Sequence, residues 1–132
     1  MKTATGVAAC LAMVCVLASA ASAAVATKAI EYQDGDVVLE GYLAWDDAAT
    51  GPRPAVLVVH EWWGLNDYAK MRARQLAAMG YIAFAVDMYG KGILADTPEK
   101  ARALATTIRS DRTAMRRRIT AALDVLRKQE DV

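Results

Sequence analysis

Two short apolar runs separated by an amphipathic segment constrain the fold of this chain more than any other feature. The first run, Ala55–Val59, reads AVLVV, and the second, Tyr81–Val86, reads YIAFAV. Such short apolar runs indicate strands that are buried on both faces. Between them, small apolar residues repeat at helical spacing; Asn66 or Asp67 can cap the start of that helix, and Gly80 follows its end. The pattern predicts a strand–helix–strand unit, which is almost always a right-handed crossover between parallel strands.

A β-hairpin is predicted before this unit and two helices after it. The strand-like runs Ala29–Tyr32 and Val37–Leu43 flank the turn sequence Gln-Asp-Gly-Asp at residues 33–36. Thr97-Pro98-Glu99 has the cap, proline and acid that begin a helix. Ser110-Asp111 is expected to interrupt that helix and cap the next one. The fold class is therefore α/β, with an N-terminal hairpin, a parallel strand–helix–strand unit and C-terminal helices.

Residues 1–23 are predicted to be a secretory signal peptide. Lys2 supplies the positive charge, Val7–Leu17 is an unbroken run of apolar and small residues, and Ala-Ser-Ala at 21–23 fits the cleavage pattern. A transmembrane anchor is the alternative, but the run is too short to span a bilayer comfortably. We expect a mature chain of residues 24–132, exported to the periplasm or the medium, with no stable membrane anchor after cleavage.

Charge and residue inventory exclude several classes of function. The sequence has 16 Lys+Arg and 15 Asp+Glu, and loss of residues 1–23 removes only Lys2 from this balance. A nucleic-acid binder usually has a basic excess, so we expect no nucleic-acid partner. The arginine-rich stretch Arg109–Arg118 is interpreted as a solvated helix face. The sequence contains neither a Gly-rich phosphate loop nor a metal-ligand cluster, so we expect no cofactor and no metal.

The loop after the first buried strand contains the main candidates for catalysis. Loops at the carboxyl ends of parallel strands meet at one sheet edge, where open α/β sheets bind ligands. In α/β-hydrolases this loop supplies one oxyanion-hole N–H, and the backbone N–H of Trp62 is placed for that role. Glu61 is a candidate auxiliary carboxylate that would be partly desolvated beside the strand. The alternative is that Glu61 pairs with a nearby arginine and that Trp62 and Trp63 only pack.

A complete nucleophilic site is missing from the sequence. His60 resembles a general base, but a base needs a nucleophile and an orienting acid within reach. Both cysteines lie within residues 1–23, and Ser110, the one serine after them, has no glycine elbow around it. Asp87 is interpreted as a residue that stabilises its loop by accepting backbone N–H bonds, with a triad acid as the alternative. Tyr89 is a candidate for lining a pocket over the His60 loop.

Three segments of the sequence resemble one known family. They are Gly41–Leu43 (GYL), Arg53–Tyr68 (RPAVLVVHEWWGLNDY) and Ala85–Gly92 (AVDMYGKG). They are similar to the N-terminal half of the dienelactone hydrolase family, which has the α/β-hydrolase fold, and His-Glu-Trp-Trp-Gly is the most specific part. The resemblance covers most of residues 30–132 and implies a partial α/β-hydrolase sheet.

The resemblance also implies a chemistry and a set of site residues. Members of the family use a Cys-His-Asp triad to cleave a cyclic enol-lactone ester. Glu61 matches the family glutamate that contacts the cysteine, and Trp62 matches the residue that gives an oxyanion N–H. Trp63 and Tyr89 are the expected substrate-binding residues. The substrate class that this implies is a small ester or lactone.

The triad itself has no counterpart in these 132 residues. The family's Gly-x-Cys-x-Gly elbow, aspartate and histidine all lie beyond the matched segments, and His60 does not match the triad histidine. Three expectations follow. The chain is a truncated ester or lactone hydrolase that is inactive as it stands, a non-catalytic remnant or half-domain whose partner completes the sheet, or an α/β binding module that uses the tryptophan-lined edge for a small ligand. Without a later strand beside it, the outer edge of the strand Ala55–Val59 is unpaired and invites strand addition or self-association.

Overall fold

The computed structural model describes residues 24–129 and 132, so the predicted signal peptide at residues 1–23 lies outside the described residues. The described part contains strands and helices in the predicted order. They are β1 (Val25–Asp34), β2 (Val37–Asp46), β3 (Ala55–Val59), α1 (Asp67–Ala78), β4 (Ile82–Val86), α2 (Pro98–Ser110) and α3 (Arg112–Arg127). Within this part of the chain, no helix has the length and apolarity needed to cross a membrane.

The strands form one mixed sheet in the order β1-β2-β4-β3. β1 and β2 are an antiparallel hairpin whose turn contains Gly35 at a φ of 60°, a conformation that glycine adopts without strain. β2 joins β4 antiparallel, and β3 joins β4 parallel. The predicted hairpin and strand–helix–strand unit are confirmed. Both hairpin strands are longer than predicted, because pairing continues from Asp34 and Val37 out to Val25 and Asp46, through the exposed polar residues Thr27 and Lys28 that break the apolar alternation.

β4 presents large side chains to one face of the sheet and alanines to the other. The larger core, which includes residues of α2 and α3, contains three side chains from β4: Ile82, Phe84 and Val86. The opposite face packs on α1 through fully buried alanines: Ala73, Ala77, Ala83 and Ala85. Small side chains let the two backbones approach closely, as the small-residue stripe of the helix predicted. This close packing fixes α1, and with it the loop between β3 and α1.

Side-chain caps begin the helices where the sequence predicted them. Asn66 Oδ1 accepts a hydrogen bond from the N–H of Ala69 at 3.1 Å, and Gly80 follows the end of α1 with a φ of 94°. Thr97 caps α2, and Asp111 caps α3 directly after α2 ends. Each cap satisfies a backbone N–H that the first turn of a helix leaves without a partner.

Ion pairs between a buried carboxylate and two arginines hold α3 against the hairpin. The carboxylate of Asp34 is buried and accepts hydrogen bonds from Arg117 Nε at 2.7 Å and from Arg118 Nε at 3.4 Å. Arg118 also donates to the carbonyl of Met88. The Arg117 guanidinium holds the pKa of Asp34 below its ordinary value of 3.8. The interpretation of this arginine stretch as a solvated face is therefore wrong for Arg118, whose side chain is only 14% exposed. Arg117 stays on the solvated face, with 55% of its side chain exposed, and pairs with Asp34 from there.

β3 lies at the edge of the sheet. Among the described residues it pairs only with β4, and no strand lies on its other side. Val59, its last residue, leaves 53% of its surface exposed. An apolar strand edge with free N–H and C=O groups is a template for pairing with another strand. The expected unpaired edge is present in the structure.

Candidate active site

Asp87 holds the loop after β4 in place. Its carboxylate is buried, with only 3% of the residue exposed. Oδ1 accepts hydrogen bonds from the N–H groups of Tyr89 and Gly90, both at 2.9 Å, and Oδ2 accepts from the N–H of Glu40 at 3.2 Å. The pairing of β2 with β4 ends at Tyr42 and Ala85. Two residues further along each strand, the Asp87 carboxylate takes the place of a backbone carbonyl and bonds to the N–H of Glu40. The interpretation of Asp87 as a loop-stabilising residue is confirmed.

His60 connects the loop after β3 to the loop after β4. Its Nε2 accepts a hydrogen bond from the backbone N–H of Met88 at 3.1 Å, and its Nδ1 lies 2.6 Å from the carbonyl oxygen of Glu61. A carbonyl only accepts and an amide N–H only donates, so these partners assign the proton to Nδ1 and leave Nε2 as the acceptor. Burial lowers the pKa of His60 below 6.5, which keeps the ring neutral. The imidazole is a structural connector with both nitrogens in use.

The carbonyl groups of Glu61 and Trp62, which flank the N–H of Trp62 along the backbone, both accept hydrogen bonds. The carbonyl of Glu61 accepts from His60 Nδ1 and, at 3.3 Å, from the N–H of Gly64. The carbonyl of Trp62 accepts from the hydroxyl of Tyr89 at 3.1 Å. The N–H of Trp62 has no acceptor anywhere in residues 24–129 or at 132. This loop therefore offers a backbone donor whose neighbouring carbonyls are both fixed.

Tyr89 lies beneath the His60 loop and is buried. Its ring packs edge-on against the imidazole of His60, with 4.7 Å between ring centroids. Burial raises the pKa of its hydroxyl, which stays protonated as the donor to Trp62. The hydroxyl thus supports the loop, and its surface borders a cavity beside Leu104 and Ile108. Substrate binding by Tyr89 stays a prediction.

A groove runs along β3 toward α1, beside this loop. Its volume is about 340 Å³, and its lining includes Val59, Glu61, Trp63, Tyr68 and Arg72. The carboxylate of Glu61 is exposed and makes no ion pair within the described part of the chain. The expected partial desolvation of Glu61 is therefore absent here, because the open edge of β3 leaves this end of the strand in contact with solvent.

A comparison with known protein families identifies the family of this chain. The family model described as "Dienelactone hydrolase family" matches residues 39–132. The chain belongs to the dienelactone hydrolase family. The matched range contains β3, β4, both loops at the carboxyl edge and all three helices, so the fold class predicted from the sequence is confirmed as part of an α/β-hydrolase sheet.

Similar proteins agree with this assignment. A protein of Aquifex aeolicus, provisionally named a carboxymethylenebutenolidase, is 42% identical over 80 residues, which cover 58% of this chain and 33% of that protein. The solved structure of m3DLH is 42% identical to this chain, with a TM-score of 0.77. The match covers 82% of this chain and 45% of m3DLH. A dienelactone hydrolase-like promiscuous phosphotriesterase from metagenomic libraries is 43% identical with a TM-score of 0.73, and 83% of this chain covers 45% of it. The chain thus spans about a third to a half of the length of these members of the family.

The candidate nucleophile considered from the sequence is not part of this site. The hydroxyl of Ser110 donates to the carbonyl of Thr107 at 2.9 Å, in the last turn of α2. The nitrogens of His60 bond to backbone groups and not to a hydroxyl. Within the described residues, neither His60 nor Ser110 makes a nucleophile–base contact with the other.

Three contributions to the site were not predicted from the sequence. The tautomer of His60 depends on Met88, which is 28 residues away in the chain. The carbonyl of Trp62 is held by the hydroxyl of Tyr89, which is also distant in sequence. Arg72 lines the groove although it belongs to α1. Its spacing of four residues after Tyr68 is the one signal that places both side chains on the same face of the helix.

Acidification is expected to destabilise the fold through His60. Its pKa in the folded state lies below 6.5, so the unfolded chain takes up the proton first as the pH falls. The free energy of unfolding should keep this contribution above pH 6.5 and lose it as the pH falls through the lowered pKa. Asp34, whose pKa is also lowered, adds a second loss below 3.8. Urea denaturation at a series of pH values measures both.

The control for this pH dependence is His60→Asn. His60 is the single histidine in the sequence, so the variant removes the upper loss and leaves the one that belongs to Asp34. If the dependence between pH 3.8 and 6.5 is unchanged in the variant, another group is responsible for it.

Proposed function

We propose that this chain forms the oxyanion-binding part of a carboxylic ester or lactone hydrolase. The observation that supports this most directly is the N–H of Trp62, which has no acceptor within the described residues while both adjoining carbonyls are held. A backbone donor aimed at the position where negative charge develops is the main electrostatic device of acyl-transfer enzymes. Membership of the dienelactone hydrolase family supports the same reaction class.

In the proposed reaction, a nucleophile attacks the carbonyl carbon of the ester or lactone. The π electrons of the carbonyl move to its oxygen, and Trp62 donates its N–H to the resulting oxyanion. Collapse of the tetrahedral intermediate expels the alcohol oxygen and leaves an acyl-enzyme, which water then hydrolyses. By resemblance to the family, the nucleophile is a cysteine thiolate from an elbow that these 132 residues do not contain. Glu61 is proposed to lie against that thiol and to help its deprotonation.

The groove along β3 is the proposed place for the body of the substrate. Its mixture of apolar and aromatic residues with a few polar groups is the usual composition of a small-molecule site. Trp63 packs on Trp62 with 5.1 Å between ring centroids, so it offers a flat apolar surface next to the oxyanion donor. Arg72 adds a cation at the same groove, which would favour a substrate that carries a carboxylate.

The isolated chain is expected to hydrolyse neither p-nitrophenyl acetate nor the lactone dihydrocoumarin. Acyl transfer requires an activated nucleophile, and no hydroxyl or thiol contacts His60 by a hydrogen bond in the described residues. The measurement is product release in the presence and absence of the chain. A rate above the buffer background that disappears in Glu61→Ala would contradict this expectation.

A completed protein tests the proposed function itself. The chain is fused to the segments of m3DLH that it does not cover, so that, by resemblance to the family, the elbow, the acid and the histidine are supplied. We expect hydrolysis of the same two substrates, with a matched fusion that replaces the elbow cysteine by alanine as the inactive control. A fusion that folds cooperatively but hydrolyses neither the ester nor the lactone would overturn the proposal.

We also propose export of the chain and association through β3. Residues 1–23 have the features of a cleaved signal peptide, and the edge of β3 is open to a strand from a partner or from a second copy. The chain from Ala24 onward is expected to self-associate, and Val59→Lys should reduce this, since a lysine on an edge strand opposes pairing. Sedimentation velocity measures the effect. A monodisperse, cooperatively unfolding monomer would contradict it.

A further inference from the structure

The peptide group that joins Glu61 to Trp62 is held from its carbonyl side. The carbonyl oxygen of Glu61 accepts from His60 Nδ1, with 2.6 Å between nitrogen and oxygen, and from the N–H of Gly64 at 3.3 Å. The peptide is trans, as are all peptide bonds in the described part of the chain. In a planar trans peptide the C=O and the N–H point in opposite directions. Whatever orients the carbonyl of Glu61 therefore orients the N–H of Trp62.

The imidazole is itself fixed by groups outside its own loop. The N–H of Met88 donates to Nε2 at 3.1 Å, which leaves the ring proton on Nδ1, facing Glu61. Met88 directly follows Asp87, whose carboxylate is bonded to the backbone of β2 and of its own loop. The ring of Tyr89 packs against the imidazole edge-on. The orientation of His60 is therefore set by the hydrogen-bonded loop that follows β4.

We propose that His60 is a positioning residue that aims the Trp62 N–H at the substrate oxygen by holding the Glu61 carbonyl. The inference rests on the proposed oxyanion role of Trp62 and adds to it the residue that sets the direction of the donor. In this role His60 acts through the carbonyl of Glu61, although it also lines the groove proposed for the substrate. Its two nitrogens join the loop after β4 to the Glu61–Trp62 peptide group in the loop after β3, so the first loop fixes the orientation of that peptide group.

The two hydrogen bonds require a neutral histidine, with one nitrogen that donates and one that accepts. Nδ1 must donate to a carbonyl, and Nε2 must accept from an amide N–H. Phenylalanine fills similar space with neither function. Asparagine places its side-chain amide near the position of Nδ1, so it can donate to Glu61 but does not reach Met88. These two variants separate the donor to Glu61 from the bulk of the ring.

The sequence allows the test to be made on the full chain with two selective labels. His60 is the single histidine, and Glu61-Trp62 is the single Glu-Trp pair in the 132 residues. ¹⁵N-histidine therefore reports only on the His60 ring, and ¹³C′-glutamate combined with ¹⁵N-tryptophan reports only on this peptide group. Solid-state NMR reads both signals whether the chain is monomeric or associated.

In the unsubstituted chain we expect a protonated Nδ1 and an unprotonated Nε2. In His60→Phe we expect the Glu61 carbonyl and Trp62 amide signals to shift and broaden, while His60→Asn keeps both near their original positions. Tyr32→Phe is the control: it removes a buried hydroxyl that bonds to the backbone of Asp87, but it touches neither group of the Glu61–Trp62 peptide.

Several results would overturn the proposal. The first is a His60 ring that is protonated on Nε2 in the unsubstituted chain, a result that does not depend on whether any variant folds. An unchanged peptide signal in His60→Phe, or equal shifts in His60→Asn and His60→Phe, would do so as well. In the completed fusion, His60→Phe should lower kcat by about 10²-fold with little change in KM, as misplacement of a catalytic group does, and His60→Asn should restore most of it. An inactive parent fusion would count against the proposed hydrolase function, while the NMR result would still decide the role of His60.

Discussion

Replacing Trp62 by proline in the completed fusion is expected to lower kcat by about 10²- to 10³-fold. Proline has no backbone N–H, so the variant removes one of the two oxyanion donors. Loss of a single oxyanion-hole donor costs about 2.7–4 kcal/mol of transition-state stabilisation. Because the bond forms only as charge develops on the substrate oxygen, the loss should affect kcat more than KM.

The matched control for this prediction is Trp62→Ala. Alanine keeps the N–H and removes the indole ring, so kcat should stay within about tenfold of the unsubstituted fusion while KM is free to rise. Thermal unfolding of both variants shows whether the proline has disturbed the loop. Equal kcat values in the two variants, with both folded, would place the oxyanion donor elsewhere.

Replacing Phe84 by alanine is expected to lower the free energy of unfolding by about 3–5 kcal/mol. Phe84 is fully buried in the middle of β4, and its ring lies 5.8 Å from the ring of Tyr32, measured between centroids. Alanine would leave a cavity that close packing on both faces of the sheet cannot fill. Urea denaturation measures the loss. Met79→Ala, at a residue that is 72% exposed, should change the same quantity by less than about 0.5 kcal/mol.

A second substitution tests the packing of the same ring from β2. A Cβ atom added at Gly41 would lie 2.6 Å from Cε2 of Phe84, well inside contact distance. Gly41→Ala should therefore cost about 1–3 kcal/mol through overpacking. Combining it with Phe84→Leu should cost less than the sum of the two single changes, because the smaller side chain makes room for the methyl group. Additive losses would show that the two residues do not share this space.

Local signals in the sequence were sufficient to locate most of the elements. Asn66, Thr97 and Asp111 cap the helices that they were expected to cap. These predictions succeed because a cap acts within three residues of the chain and a left-handed glycine within one turn. Side chains alternate between the faces of any strand, and Leu39 and Leu43 of β2 accordingly share the buried face.

Features that depend on distant residues could not be predicted in the same way. The burial of Asp34 against Arg117 and Arg118 joins residues more than 80 positions apart. The exposed state of Glu61 depends on what lies next to β3 in the sheet and not on its own neighbours in sequence. Strand length in the hairpin followed from pairing and not from local composition, because a partner strand satisfies backbone groups whatever side chains they carry.

The amino-acid sequence by itself determined the order of the elements, the turn and cap positions, and the absence of a complete nucleophilic triad from these residues. Only the tertiary structure decided which nitrogen of His60 carries the proton and how the carbonyls beside the Trp62 N–H are held. The physical reason is range. Backbone conformation and capping are set by neighbours within a few residues, whereas the direction of a hydrogen bond is set by whichever groups the packed sheet brings together.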